Sequence, residues 1–153
     1  MRQAIEKIMS RVTDECVITG CGYISREVYY VKDRPRNFYN MGAMGSSLGI
    51  ALGLAYSRKD LRVIVISGDG STLMSLGTCV LHYHLNPPNL EHYILNNGVY
   101  ASTGGQPTCF SSLNMGFRNT EGIVVGKESD APRIPLKCKE IRRRFCENIR
   151  IRD

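Results

Sequence analysis

The stretch Arg62-Val63-Ile64-Val65-Ile66-Ser67-Gly68-Asp69-Gly70-Ser71 decides the fold of this chain. Its first half is a continuous β-branched run, which is typical of a strand buried in a parallel sheet. Gly68 and Gly70 then let the backbone come close to a ligand, and a helix is predicted to begin at Ser71. A strand, a glycine turn and a helix in this order are typical of phosphate binding, because a helix N-terminus offers free N–H groups and the positive end of its dipole.

The rest of the chain alternates predicted strands with predicted helices. Strands are predicted at residues 15–19, 38–39, 62–67, 91–96 and 123–125, and helices at residues 2–12, 25–30, 45–58, 71–85 and 137–150. Residues 98–121 are rich in Gly, Ser, Thr and Asn and are predicted to form a long loop. This alternation predicts a three-layer α/β/α fold with a mostly parallel sheet, in a single domain of residues 1–153.

A second polar motif, Asn96-Asn97, ends the next long predicted strand. The carboxyl ends of parallel strands share one edge of the sheet, where ligands bind, so Asp69 and Asn97 are expected to lie at the same edge. A carboxylate beside a phosphate is repulsive unless a hard cation such as Mg²⁺ lies between them. Gly-Asp-Gly alone is typical of an ordinary turn, but the two motifs together favour a site for a phosphate and Mg²⁺.

This pair of motifs resembles the cofactor signature of the thiamine diphosphate (ThDP) enzymes in the decarboxylase and acetolactate synthase superfamily. Upstream, Asn40-Met41-Gly42-Ala43-Met44-Gly45 resembles the Gly-x-Met-Gly segment of that family. Residues 25–39 and 101–108 narrow the resemblance to sulfopyruvate decarboxylase β subunits and phosphonopyruvate decarboxylases. The resemblance therefore implies the ThDP-binding fold of a diphosphate-binding domain.

The resemblance implies a role for each matching residue, with ThDP and Mg²⁺ as cofactors. Asp69 and Asn97 would bind Mg²⁺ through side-chain oxygens and Val99 through its carbonyl. Gly42 would accept a hydrogen bond from the amino group of the cofactor, and Met44 would hold the cofactor bent. The implied cofactor-binding residues are Gly42, Met44, Gly68, Asp69, Gly70, Ser71, Asn97 and Val99.

The resemblance also implies a reaction, the decarboxylation of 3-sulfopyruvate to sulfoacetaldehyde by a carbon–carbon lyase. Decarboxylation of 3-phosphonopyruvate to phosphonoacetaldehyde is the alternative. The residues expected to hydrogen-bond the sulfonate or phosphonate are Ser102, Thr103, Gln106 and Thr108. They follow the proposed metal site on a glycine-rich loop, and a polar surface loop that binds no ligand is the other interpretation.

Two departures from the family pattern shape the expected assembly. The family activates its cofactor with a glutamate from a pyrimidine-binding domain that this sequence lacks, so we expect a separate α subunit and a hetero-oligomer with at least two copies of each chain. The sequence is also short after Thr108, where residues 109–121 replace a longer stretch and leave one sheet edge uncovered. A non-catalytic partner subunit with the same fold is therefore an alternative function.

The composition is typical of a globular protein, with 153 residues of which 42% are hydrophobic. No apolar run approaches the roughly 20 residues of a membrane span, and the N-terminus lacks the apolar core of a signal peptide. A cytoplasmic location without membrane contact is therefore predicted.

Cysteine and histidine positions indicate no further chemistry. The cysteines are Cys16, Cys21, Cys79, Cys109, Cys138 and Cys146, and the histidines are His82, His84 and His92. No zinc-type spacing occurs among them, so the cysteines are expected to be reduced thiols and the histidines structural or surface residues. Only Cys109 lies near the predicted site.

The net charge of +6 comes largely from the C-terminus, where residues 137–153 hold seven Lys and Arg. A nucleic-acid-binding surface is one interpretation. Ile141, Phe145 and Ile149 recur at helical spacing, however, and favour an amphipathic helix with a solvated basic face. Nucleic acid is therefore not expected as a partner.

Overall fold

The computed structural model describes residues 1–112, 119–127 and 129–150. Its strands are β1 (Cys16–Thr19), β2 (Asn37–Tyr39), β3 (Val63–Gly68), β4 (Leu90–Asn96) and β5 (Thr120–Val124). Its helices are α1 (Arg2–Ser10), α2 (Tyr23–Lys32), α3 (Ser47–Ser57), α4 (Asp69–Leu73), α5 (Leu76–Leu85) and α6 (Cys138–Asn148). Among the described residues, no helix is long and apolar enough to cross a membrane.

The five strands form one parallel sheet in the order β2-β1-β3-β4-β5. Helices cover both faces of this sheet, which confirms the predicted α/β/α fold. The β-branched run of β3 is buried on both sides, because Ile64 and Ile66 pack in the cluster that includes α1 and α2. Val63 and Val65 pack in the cluster that includes α3 and Phe145 of α6.

Two predicted elements differ from the observed ones. The helix predicted over residues 71–85 is instead α4 and α5, which meet at Ser75. The Ser75 hydroxyl bonds back to the carbonyls of Ser71 (3.3 Å) and Thr72 (3.5 Å), a local competition with backbone bonding that disfavours a continuous helix.

The predicted loop 98–121 also differs, because it contains two short 3₁₀ turns, Ala101–Thr103 and Phe110–Ser112, and the start of β5. That strand begins at Thr120, earlier than predicted. Its first residues, at the sheet edge, include polar and exposed ones, so the apolar pattern did not indicate them. The remaining part of the loop prediction, residues 113–118, lies outside the described residues.

The C-terminal helix is amphipathic as predicted. Ile141 and Phe145 of α6 are buried, and the Phe145 ring packs edge-on against Phe38 of β2 at 5.5 Å between centroids. The basic side chains of α6 therefore lie on the side away from the core. All six cysteines are free.

Two of the three histidines are core residues. His82 of α5 and His92 of β4 are 1% and 2% exposed, and their rings lie 6.1 Å apart. Nε2 of His92 lies 2.7 Å from the Ser67 hydroxyl, which lies 3.0 Å from the Thr72 hydroxyl. Thr72 in turn donates to the Gly68 carbonyl (2.9 Å), so a buried polar chain links β4 to the junction of β3 and α4.

This burial generates a prediction about pH. Burial, with the neighbouring His82, lowers the pKa of His92 from 6.5 to about 3, and burial lowers the pKa of His82. Because the unfolded chain then binds protons more readily, the stabilising effect of a neutral His92 is complete above pH 6.5 and is lost as pH falls toward 3. We expect the free energy of unfolding to fall by up to about 1.4 kcal/mol per pH unit for this residue.

Urea unfolding measured at steps from neutral to acidic pH tests this expectation. His92→Gln should flatten the slope, whereas His84→Gln, at an exposed position of the same chain, should leave it unchanged. Parallel pH profiles for the wild type and His92→Gln would contradict the assignment.

Candidate cofactor site at the carboxyl edge of the sheet

A cavity of about 680 Å³ opens at the carboxyl ends of β1, β3 and β4. It lies beside the point where the strand order reverses, between β1 and β3, which is the usual ligand position in open α/β sheets. The residues expected to bind the cofactor all line it, namely Gly42, Met44, Gly68, Asp69, Gly70, Ser71, Asn97 and Val99. The fold thus brings together three segments that are far apart in the sequence.

Asp69 is the buried acid of this cavity. It is 2% exposed, and its Oδ2 accepts hydrogen bonds from the Gly98 N–H (3.1 Å) and the Thr108 hydroxyl (2.6 Å). Both donors are neutral, and no Lys or Arg of the described residues forms an ion pair with Asp69. A buried carboxylate without a counter-charge is costly, so its surroundings suit a bound cation.

The two asparagines of the second motif have different positions. Asn97 lines the cavity, and its Oδ1 accepts a hydrogen bond from the Val99 N–H (3.2 Å). Asn96 is not among the lining residues, and its Oδ1 accepts from the Gly98 N–H (3.0 Å). Together these bonds turn the chain sharply after β4, at Gly98 with its positive φ of 74°, and bring Val99 to the cavity.

Ser71 ties the two glycine motifs together. Its hydroxyl accepts a hydrogen bond from the Gly45 N–H (3.0 Å), which fixes the end of the Gly-x-Met-Gly segment against α4. Gly45 has a φ of 90°, and a Cβ there would lie 3.2 Å from the Cβ of Met74. Gly42 also has a positive φ, of 79°, so the backbone of this segment depends on glycine at both positions.

Gly70 is the tightest position of the site. A Cβ added to it would lie 2.5 Å from the Tyr100 ring and 3.2 Å from Cε of Met44. Tyr100 and Met44 therefore pack directly on the first turn of α4. The sequence motif predicts glycine here because a ligand approaches the backbone. The packing of Tyr100 is a second reason why a larger residue does not fit at this position.

The four residues expected to contact the substrate do not share one position. Ser102 and Thr103 line the cavity, but Gln106 and Thr108 do not. The Gln106 side chain lies against Gly104, and Thr108 donates to Asp69. Cys109 does not line the cavity either.

Sequence reasoning missed several residues that line the cavity. Tyr100 lies three residues after Asn97, and only the tertiary contact with Gly70 identifies it as part of the site. Arg26 lies in the segment that carries the family resemblance, but no chemistry was assigned to it. Arg133 comes from the segment before α6, where the sequence gives no signal of a site. These three residues line the cavity together with the predicted set.

A parallel α/β sheet that carries a glycine-rich loop, a buried aspartate and an asparagine turn at one edge defines a domain that binds a phosphorylated cofactor. Residues 19–131 match the family model described as thiamine pyrophosphate enzyme, C-terminal TPP binding domain, and thiamine pyrophosphate is another name for ThDP. The chain therefore belongs to this family of ThDP-binding domains.

Named relatives are similar over most of the chain. It is 45% identical over 114 residues to sulfopyruvate decarboxylase subunit beta of Methanothermobacter thermautotrophicus, which covers 74% of this chain and 61% of the relative. It is 41% identical over 113 residues to phosphonopyruvate decarboxylase of Streptomyces viridochromogenes, covering 73% and 28%. The chain thus spans less than two thirds of the length of these relatives.

A longer match adds a difference in length. The chain is 32% identical to sulfopyruvate decarboxylase of Methanosarcina acetivorans over 182 aligned positions, which cover 97% of this chain and 47% of the relative. Since the chain has only 153 residues, the alignment includes residues of the relative that have no counterpart here.

The packing at Gly70 generates a prediction. Gly70→Ala should displace Tyr100 or the loop itself, at a cost of about 1–3 kcal/mol for an overpacked site, and should weaken ThDP binding. Thermal unfolding and calorimetric titration with ThDP and MgCl₂ measure the two effects. Adding Tyr100→Ala removes the ring that the new methyl group meets and should restore part of the stability.

The matched control is Gly77→Ala in α5, where an added Cβ meets no atom within 4 Å. That substitution should be neutral or stabilising by up to about 1 kcal/mol, because alanine favours a helix. Equal effects of Gly70→Ala and Gly77→Ala on stability and ThDP binding would contradict the prediction that Gly70 is tightly packed.

Proposed function

We propose that this chain is the β subunit of a ThDP- and Mg²⁺-dependent 2-oxo acid decarboxylase whose substrate is 3-sulfopyruvate. Decarboxylation of 3-phosphonopyruvate is the second candidate, because relatives with both names match the same part of the chain. The observation that carries the proposal is Asp69, a buried carboxylate with only neutral donors, in one cavity with Asn97 and Val99. The cytoplasmic location stays a prediction.

The donor set supports Mg²⁺. The described residues contain no cluster of three or more His, Cys, Asp or Glu, so a zinc-type site is not offered there. One carboxylate, one amide oxygen and a backbone carbonyl suit a cation that takes its remaining oxygens from a diphosphate and water. We propose Asp69, Asn97 and Val99 as the protein ligands.

The remaining residues of this chain would bind and orient the cofactor. When bound, ThDP supplies the nucleophilic carbon and the electron sink that decarboxylation of a 2-oxo acid needs. Gly68, Gly70 and Ser71 would hold the diphosphate, and Met44 would support the rings from below. Tyr100, which packs on Gly70, would close this side of the cavity to water.

A separate pyrimidine-binding subunit would complete the site. Among the described residues, Asp69 is the only carboxylate that lines the cavity, and it is proposed as a metal ligand. We propose that the glutamate that activates the cofactor comes from another chain. The name subunit beta, borne by relatives from Methanothermobacter thermautotrophicus and Methanocaldococcus jannaschii, supports a partner.

We further propose that the partner docks on an uncharged face formed by α3 and α5, which we call the apolar face. Neither helix contains a Lys, Arg, Asp or Glu, although 22% of the chain is charged. Depletion of charge with exposed apolar side chains is typical of the core of an interface. The exposed apolar residues of this face are Ile50, Leu76, Val80, Leu81 and Tyr83.

The position of the apolar face favours the pyrimidine-binding subunit over a second copy of this chain. Met74 borders the face and lies against Gly45, whose motif lines the cavity. Met41 and Met44, both exposed, continue the apolar surface to the cavity mouth. A partner seated there would reach the cofactor with its own side chains.

We also propose that the domain is shortened after Thr108. The aligned residues of the Methanosarcina relative without counterpart here support this. The edge strand β5 is largely exposed, with Val124 at 86% exposure. A non-catalytic subunit remains the second class of function, favoured by this shortening alone.

The first test concerns Asp69. In the complex with its partner subunit, Asp69→Asn keeps the shape of the side chain but removes its charge. We expect ThDP binding in the presence of Mg²⁺ to weaken by at least the roughly 10–100-fold that changes around a metal site cost, and CO₂ release from sulfopyruvate to be lost. Calorimetry and a CO₂ assay measure these effects.

Asp60→Asn is the control, because Asp60 is an exposed acid paired with Arg58. It should leave both readouts unchanged. Cofactor binding by Asp69→Asn equal to wild type would remove Asp69 from the metal site. A wild-type complex that binds ThDP but releases no CO₂ from sulfopyruvate or phosphonopyruvate would favour the non-catalytic subunit.

The second test concerns the apolar face. Val80 is 64% exposed in α5, so Val80→Asp should not disturb the fold but should place a charge within the interface. We expect at least about tenfold weaker assembly with the partner, measured by sedimentation or size-exclusion chromatography. Val124→Asp, at 86% exposure on β5, is the matched control and should assemble normally. Equal loss in both variants, or in neither, would argue against this docking surface.

A further inference from the structure

We propose that Arg26, together with Arg133, binds the second anionic group of the substrate, the sulfonate or phosphonate on C3 of the 2-oxo acid. This inference rests on the proposed function and names the residues that select its substrate class. It replaces the hydroxyl and amide side chains of residues 102–108 as the main determinants of recognition.

The charges of the cavity suggest this assignment. Among the described residues, its charged side chains are Arg26, Asp69 and Arg133. Asp69 is proposed to face the metal, so the two arginines are left as the positive charges of the cavity wall. A 2-oxo acid with a sulfonate carries two negative charges, and a buried charge needs a partner of opposite sign.

Arg26 has no acidic partner among the described residues. It forms no ion pair with the described residues, and its guanidinium lies over the Tyr23 ring at 5.5 Å from the centroid. The adjacent Glu27 is occupied, because its Oε2 pairs with Arg2 at 2.8 Å and its Oε1 accepts from Ser129 at 2.5 Å. Arg26 is therefore half-buried, held against an aromatic ring, and available to an anion.

The structure brings Arg133 to the same side of α2. The Tyr30 hydroxyl donates to the Arg133 carbonyl at 3.3 Å. Tyr30 lies four residues after Arg26, and residues at this spacing share one face of a helix. Arg133 forms no ion pair with the described residues either, and both arginines line the cavity, Arg26 from α2 and Arg133 from the segment before α6.

The loop expected to contact the substrate lies beside the start of α2. A Cβ added to Gly22, the residue before this helix, would lie 3.7 Å from the Ser102 hydroxyl oxygen. Ser102 and Thr103 can thus complement the arginines. Thr108 donates to Asp69, and Gln106 does not line the cavity. Neutral donors can hydrogen-bond a sulfonate but cannot balance its charge, whereas the arginines can.

Guanidinium chemistry fits this role. Its planar fork of N–H donors matches the oxygens of a sulfonate or phosphonate, and such charge-assisted bonds are about twice as strong as neutral ones. C3 of pyruvate is a methyl group without an anionic substituent, so it cannot accept these charge-assisted bonds. The site should therefore accept 2-oxo acids with an anionic C3 substituent and discriminate against pyruvate.

The test uses the assembled enzyme and two readouts. Calorimetric titration with sulfoacetate, which has the sulfonate but no keto group to react, measures anion binding without turnover. Steady-state kinetics with sulfopyruvate, phosphonopyruvate and pyruvate measure KM and kcat separately. For Arg26→Gln we expect sulfoacetate binding at least about tenfold weaker, a similar rise in KM for both anionic substrates, and no change in KM for pyruvate.

Further variants keep the outcome clear. Arg26→Lys retains the charge without the fork and should show an intermediate KM, and Arg133→Gln should show a smaller effect because Arg133 is exposed. Arg142→Gln, which removes an exposed arginine of α6, should match wild type. Thermal unfolding and the ThDP affinity of Arg26→Gln should stay at wild-type values, which shows an intact fold and cofactor site.

The possible failures are distinct. If wild type releases CO₂ from the anionic substrates and Arg26→Gln has unchanged KM and sulfoacetate affinity, the inference is overturned. Loss of ThDP affinity in Arg26→Gln would assign Arg26 to the diphosphate and also overturn it. A wild-type complex that converts none of the three 2-oxo acids would instead overturn the proposed function.

Discussion

The buried carboxylate of Asp69 is the constraint on which the rest of the site depends. The register that pairs Gly68 with Leu95 sets the ends of β3 and β4 side by side, so that the Gly98 N–H reaches Asp69. Thr108, near the middle of the segment between β4 and β5, donates to the same oxygen. These neutral donors orient the carboxylate but leave its charge uncompensated. The proposed cation and the folded loop would therefore be coupled, because each would make the other favourable.

The sequence predicted the features that follow from strand ends. The β-branched run before Gly68 and the apolar run before Asn96 identified two adjacent parallel strands, and parallel pairing then places both motifs at one edge. Features set by tertiary contacts were not predictable in this way. Ser75 breaks a helix that its neighbours favour, and Thr108 points toward Asp69 because the loop folds back through the bridge between Val99 and Pro107.

The distribution of charge supports the proposal that this domain forms one half of a site shared with a partner. Lys and Arg are concentrated in α6, whose apolar side packs on the sheet, while α3 and α5 contain no charged residue. An exposed apolar face of two packed helices is unfavourable in water. Its extension to Met44 at the cavity would place the proposed partner beside the site to which we propose that it contributes a carboxylate.

The proposed function requires the cavity to hold two anionic ligands at once, and the charges that would receive them lie on different elements. Asp69 begins α4 and would bind the cation that accompanies the diphosphate, whereas Arg26 lies on α2 and Arg133 on the segment before α6. Without the arginines, a dianionic substrate would be repelled by a bound diphosphate, since Coulomb forces act strongly where water is excluded. Under this proposal, opposite charges on different elements would let one cavity bind a phosphorylated cofactor and an acidic substrate together.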